Sequence, residues 1–74
     1  MVSEEEFIIN LGVNIRRLRE RKNLSQQNLA DTCNIPKTSI GRVERGEVSV
    51  TIKTIIKIAN ALEIEPKDVF DFKI

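Results

Sequence analysis

The segment that decides the fold spans residues 24–46 and reads LSQQNLADTCNIPKTSIGRVERG. Ser25 is a residue type that caps helix N-termini well, so a helix is expected to begin directly after it. Within that helix Leu29 and Cys33 are four residues apart and fall on one face. The pattern predicts a short amphipathic helix with one buried side.

A second short helix follows the polar turn at 34–36. Ile40 and Val43 recur at helical spacing and are expected to face inward, while Gly46 suits the left-handed position that follows a helix end. Two short helices joined by a tight turn form a helix-turn-helix, here over 25–45. The second helix of such a unit, braced by the first, can enter the major groove of DNA.

The composition predicts a single soluble domain over 1–74. With 41% hydrophobic and 31% charged residues the chain is typical of a globular protein, and no apolar run approaches the roughly 18 residues that span a bilayer. The N-terminus is acidic where a secretory signal needs basic residues, so we expect a cytoplasmic protein. The single cysteine, Cys33, lies on an apolar stripe and is expected to be a small buried hydrophobe.

The net charge of +1 conceals a strong asymmetry along the chain. Residues 14–45 contain eight basic and three acidic residues, a net charge of +5, whereas the remaining residues sum to −4. The basic part contains the helix-turn-helix, as attraction to phosphates requires. A solvated surface whose charges cluster by chance is the alternative reading.

Periodicity and capping signals outside this unit predict an all-α, five-helix domain. Ser3 and Glu6 have the spacing of a capping box, and Thr51 can cap a fourth helix. The helices are expected at about 4–22, 26–33, 37–45, 52–62 and 67–70, with a wide apolar stripe on the fourth formed by Ile52, Ile55, Ile56, Ile58, Ala59 and Leu62.

A short extended tail is expected at 71–74, because Phe70, Phe72 and Ile74 alternate with polar residues. Such a tail can pair with its copy in a second subunit, which would make Val69, Phe70, Phe72 and Ile74 dimer contacts. It can equally fold back onto Phe7 and the fourth helix. The sequence leaves both arrangements open.

The outer face of the helix at 37–45 is the predicted base-reading surface. At about 100° per residue, four side chains point away from the core or reach round its edge: Lys37, Thr38, Gly41 and Arg42. Arginine and lysine can donate hydrogen bonds to guanine, and threonine can contact thymine. Glycine permits close approach of a phosphate, a base or a partner to the helix backbone. Solvated surface charges are the alternative interpretation of the two basic residues.

Phosphate contacts are expected from the elements that flank this helix, through polar side chains and free backbone N–H groups. The candidates are Gln26, Gln27, Arg45, Ser49 and Thr51.

Glu44 is predicted to form a structural ion pair. It falls on the inward side with Ile40 and Val43, where an unpaired carboxylate is unfavourable. Arg19 lies at the edge of the apolar stripe of the first helix and is the expected partner.

The chain also resembles the Cro/CI-like helix-turn-helix family, also called XRE-type or lambda-repressor-like. The resemblance rests on the patterns LSQxxLA from Leu24, IxRVERG from Ile40, IxxIAxAL from Ile55 and the pair Val69-Phe70. It implies a five-helix DNA-binding regulator, a repressor or controller, that reads a palindromic operator as a homodimer. By position, Gln26, Lys37, Thr38 and Arg42 match the DNA-contacting sites of the family, and Arg19 with Glu44 matches its ion pair. The chain is similar to restriction-modification controllers and small phage repressors.

Other functions have weaker support in the sequence. No histidine is present and the one cysteine lies on an apolar stripe, so we expect no catalytic site, no metal site and no cofactor. No membrane partner and no small-molecule ligand are expected. The alternative function is a protein-interaction module, such as an antitoxin or anti-activator, built on the same scaffold.

Overall fold

The computed structural model describes residues 1–74. It contains five helices and no strand: α1 Glu4–Arg21, α2 Gln26–Cys33, α3 Lys37–Glu44, α4 Ile52–Leu62 and α5 Pro66–Val69. The expected all-α architecture is confirmed, with helix ends that differ by one residue in α1, α3 and α5. Lys22 and Arg45 stand at C-cap positions, and Pro66 begins α5 because proline is tolerated in a first turn.

Side-chain caps fix where three of the helices begin. The hydroxyls of Ser3, Ser25 and Thr51 accept hydrogen bonds from backbone N–H groups of α1, α2 and α4 respectively. At α2 the cap is reciprocal, since the side chain of Asn28 also accepts from the N–H of Ser25 at 3.1 Å. These bonds satisfy N–H groups that have no partner inside a helix.

The turns around α3 need left-handed backbone on both sides. Asn34 ends α2 with φ 58°, and Gly46 follows α3 with φ 69°. The expected left-handed position of Gly46 is confirmed. Asparagine and glycine adopt this conformation at small cost, so both turns can be tight.

The core lies where α1, α2, α3 and α4 meet, and α5 packs beside it against α1 and α4. Packing joins α2 to α3 and α4, α1 to α3 and α5, and α4 to α5. The buried apolar residues are Leu11, Ile15, Leu29, Ala30, Cys33, Ile40, Val43, Ile55, Ile58, Ala59, Leu62 and Val69. Cys33 is among them, as expected, and burial raises the pKa of its thiol.

Gly12 sets how closely α1 approaches α3. A methyl group at this position would collide with the backbone carbonyl oxygen of Val43 and would lie 2.7 Å from that of Glu44. Because backbone cannot move aside as a flexible side chain can, only glycine permits this crossing. The sequence gives no periodic signal for this contact.

One expectation about the periphery needs correction. The stripe of α4 is narrower than predicted, because Ile52 and Ile56 are 65% and 43% exposed on a flank that no other helix covers. The tail 71–74 forms no helix or strand, and the ring of Phe72 packs 5.1 Å from that of Phe7, a contact of the fold-back arrangement that the sequence leaves open. None of the five helices is long and apolar enough to span a membrane.

Candidate nucleic-acid interface

The third helix presents two opposite faces. Ile40 and Val43 are buried, whereas Lys37, Thr38 and Arg42 are exposed. Since α3 packs against both α1 and α2, its inner face is held along its length. Three of the four residues predicted to contact bases therefore project from a firmly supported helix into solvent.

A buried ion pair fixes the inner end of α3. Arg19 Nε donates to Glu44 Oε2 at 2.7 Å, and Arg19 Nη2 donates to Glu44 Oε1 at 3.0 Å. The Glu44 side chain is only 2% exposed. Arg19 Nη1 also donates to the carbonyl of Leu24 at 2.7 Å. The hydrogen bonds to Glu44 raise the pKa of Arg19, so the guanidinium stays charged while it ties α1 and the following turn to α3.

Gln26 connects this buried pair to the outer surface. Its Nε2 donates to Glu44 Oε1 at 2.9 Å. A carboxylate only accepts hydrogen bonds, so the amide nitrogen must face Glu44, and the amide oxygen is left for another partner. The first residue of α2 is therefore oriented from inside the protein.

Gln26 and the outer face of α3 line one polar cleft. Three of its residues are basic and none is apolar: Gln26, Lys37, Thr38, Gly41, Arg42 and Arg45. Small-molecule sites are mostly apolar, whereas a basic polar surface suits the phosphates and base edges of a nucleic acid. The cleft brings together four predicted base-contacting residues and two predicted phosphate-contacting ones.

Gly41 requires a correction within this set. It was expected to be open to DNA, but it is buried. The guanidinium of Arg45 covers it, with Nη1 2.9 Å from the point where a Cβ would stand. The absence of a side chain at Gly41 therefore makes room for Arg45 first.

Arg45 is held over Gly41 by a second ion pair, which the sequence did not indicate. Its Nε donates to Glu47 Oε2, and its Nη2 lies 3.5 Å from Glu47 Oε1. This bond raises the pKa of Arg45 and lowers that of Glu47. The left-handed turn at Gly46 brings the two side chains together. A glycine between an arginine and a glutamate is the sequence signal that could have predicted this pair.

A second groove lies between α3 and the beginning of α4. Arg42 lines it together with Ser49 and Thr51, and also with Ser39 and Thr54, which sequence reasoning missed. The Thr51 hydroxyl accepts from the N–H of Thr54 at 3.2 Å, so it is already engaged as a cap. The first turn of α4 leaves backbone N–H groups free, and these favour an anion.

The remaining predicted residues lie outside these grooves. Gln27 is exposed and its amide donates to Asp31 at 2.8 Å. Val69 is fully buried, so its expected place in a dimer contact is wrong: it belongs to the core of its own chain. Phe70 and Ile74 are 38% and 56% exposed, whereas Phe72 is half-buried against Phe7.

Comparison with known proteins agrees with this geometry. The helix-turn-helix family HTH_3 matches residues 15–69, a span that contains α2, α3 and α4 and both grooves. The chain belongs to this helix-turn-helix family. It is therefore a DNA-binding transcriptional regulator of the XRE type, as its resemblance implied, and the outer face of α3 is the part that such a unit directs toward DNA.

Several relatives are restriction-modification control proteins. Control protein C.BamHI from Bacillus amyloliquefaciens is 40% identical over 82% of this chain and 76% of the relative. Control protein C.SmaI from Serratia marcescens is 46% identical over 70% of this chain and 62% of the relative. The crystal structure of the controller C.AhdI from Aeromonas hydrophila superposes with a TM-score of 0.84 at 40% identity, covering 85% of this chain and 96% of that one.

Proposed function

We propose that this helix-turn-helix protein acts as a controller-type regulator that binds a palindromic operator as a homodimer, with α3 in the major groove. The observation that carries the proposal is the polar, basic cleft formed by Gln26 and the outer face of α3. The likeness to control proteins such as C.BamHI supports the controller role. The proposed role is DNA binding in the cytoplasm, without a catalytic step.

Base reading falls to three exposed side chains of α3. Arg42 has the planar fork that bonds to O6 and N7 of guanine, and Lys37 can donate to the same atoms. Thr38 offers a hydroxyl group and a methyl group, and the methyl group suits thymine. A bidentate arginine contact discriminates against the wrong base by about 1–3 kcal/mol.

Phosphate binding falls to groups around the ends of α3. Arg45 provides charge, Ser49 a hydroxyl, and the capped beginning of α4 at Thr51 free N–H groups. Gln26 takes part through the remaining N–H of its oriented amide. Gln27 contributes only after its amide leaves Asp31, so we assign it the weakest contact.

We propose a dimer because α3, the helix that contacts the bases, is short. One eight-residue helix contacts few base pairs, and two copies on half-sites one helical turn apart double that number. The exposed tail residues Phe70 and Ile74 are the proposed contact, with Phe72 at its edge. Sedimentation at tens of micromolar tests this contact: a purely monomeric species, both alone and on DNA, contradicts it.

Selection from a random DNA pool, repeated at two salt concentrations, tests the proposal. We expect a palindrome with half-sites about 10 base pairs apart, and an affinity that falls steeply as salt increases. Arg42→Ala should weaken binding to the selected duplex at least about fivefold. Lys67→Ala removes the same charge from α5, away from both grooves, and should bind like the wild type.

The same experiment separates the alternative function. If α3 is only scaffold for a protein partner, no palindrome is enriched, and Arg42→Ala and Lys67→Ala behave alike.

A further inference from the structure

Glu47 places a negative charge at the edge of a surface that is otherwise built for phosphates. Its carboxylate bonds to Arg45, which lines the cleft of α3. The positive charge of Arg42 also acts on it, contributing to its lowered pKa. An acidic residue here opposes the attraction of DNA, so its position calls for a physical account.

The geometry of the pair shows which atoms of Arg45 are occupied. Nε and Nη2, which form one side of the guanidinium fork, face the two oxygens of Glu47. Nη1 lies over Gly41 on the helix surface. The side of the fork that is best suited to a bidentate oxyanion therefore already holds one.

We propose that Glu47 acts as an internal substitute for a DNA phosphate, occupying Arg45 in the free protein and lowering the affinity for DNA. The inference rests on the proposed function. Carboxylate and phosphate oxygens present the same kind of acceptor to an arginine fork, so only one of them can occupy it. DNA binding then exchanges one anion for the other, and Arg45 gains much less than a free arginine would.

The two side chains remain about half exposed, at 59% for Arg45 and 49% for Glu47. An exposed pair is weak enough for a phosphate to displace it. The same exposure means that either residue can be substituted without disturbing the core. The pair of Arg45 with Glu47 therefore adjusts the affinity for DNA and leaves the fold unchanged.

Glu47→Gln is the direct test, measured by titration with the duplex enriched in the selection and with a random-sequence duplex of equal length. We expect binding to both to tighten about two- to fivefold, the range of an exposed ion pair. The slope of log K against log salt should become steeper by about 0.9 for each Arg45 that gains a phosphate. Glu63→Gln is the control, because it removes the same charge at the far end of α4 and should change neither quantity.

A double-mutant cycle shows whether the effect passes through Arg45. In an Arg45→Gln background, at about 50 mM salt where phosphate contacts count most, Glu47→Gln should tighten binding distinctly less than it does in the wild type, because only the general repulsion of the carboxylate is then removed. An equal gain in both backgrounds means general charge repulsion and overturns the proposal. Weaker binding by Glu47→Gln overturns it as well, because Glu47 then presents Arg45 to DNA.

The outcomes also distinguish this inference from the function on which it rests. A wild-type protein that binds neither duplex contradicts the DNA-binding role and removes both. A wild-type protein that binds with steep salt dependence, together with an unchanged Glu47→Gln variant, leaves the regulator in place and removes only the role of Glu47.

Discussion

Two arginine–glutamate pairs flank the last turn of α3, and they differ chiefly in their exposure to water. In the pair of Arg19 with Glu44 the side chains are 10% and 2% exposed, whereas in that of Arg45 with Glu47 they are 59% and 49% exposed. Both use the guanidinium fork in similar ways. The buried pair holds the helix to the protein, and the exposed pair controls what the helix offers to a partner. Burial, and not the residue types, separates a structural role from a functional one.

The largest expected effect comes from breaking the buried pair. Arg19→Ala leaves Glu44 as an uncompensated buried charge, and we expect a loss of about 3–5 kcal/mol in the free energy of unfolding, measured with urea. Arg45→Ala is the matched variant at the exposed pair, and its urea midpoint should stay close to that of the wild type because an exposed ion pair contributes little to stability.

The thiol of Cys33 provides an independent readout of the same comparison. It is buried, so its reaction with a thiol reagent reports opening of the core. Arg19→Ala should label much faster than the wild type, and Arg45→Ala at an unchanged rate. Equal urea midpoints for the two variants would show that burial does not set the difference.

The two glycines beneath these pairs allow the next test. Gly12→Ala forces a methyl group against the backbone of Val43 and Glu44, and we expect a loss of about 1–3 kcal/mol on thermal or urea unfolding. Gly41→Ala meets only the end of the Arg45 side chain, which can move, and alanine favours a helix by up to about 1 kcal/mol. It should therefore keep or raise stability. A stable Gly12→Ala variant would contradict the close crossing of α1 and α3.

Gln26 lies between the two regions and should show properties of both. Gln26→Ala removes the hydrogen bond from the half-buried Gln26 amide to the buried carboxylate of Glu44. We expect a loss of about 1 kcal/mol in the free energy of unfolding. Affinity for the selected duplex should also decrease at temperatures where the variant is fully folded. Gln27→Ala, one residue on, changes an exposed bond to Asp31 and should affect stability little. Identical behaviour of the two variants would remove the connecting role of Gln26.

The sequence predicted the buried contacts of α3 much better than the contacts among its exposed side chains. Apolar spacing located Ile40 and Val43, and the same geometry required a cation for Glu44, which Arg19 provides. The contact of Arg45 with Gly41 and its bond to Glu47 were missed, because helical periodicity shows which side chains are exposed and not which exposed side chains contact one another. Gly12 was missed for another reason: a close contact between helices depends on their crossing, and one helix alone does not reveal it.

The smallest expected effect is also the most direct test of the exposed pair. The bond to Arg45 holds the pKa of Glu47 below the ordinary glutamate value of 4.5. A carboxylate whose pKa is lowered in the folded state contributes a little stability above the ordinary value, and this is lost as the pH falls through the lowered pKa.

Carboxyl NMR should therefore show Glu47 titrating below 4.5, and Arg45→Gln should return its midpoint to the ordinary range. An ordinary midpoint in the wild-type protein means that the pair of Arg45 with Glu47 is open in solution. Arg45 is then already free for a phosphate, and Glu47 does not lower the affinity for DNA by occupying it. A low midpoint that rises only on addition of the selected duplex means instead that the duplex takes Arg45 away from Glu47, because a carboxylate that loses its cation and comes to lie near phosphates binds protons more readily.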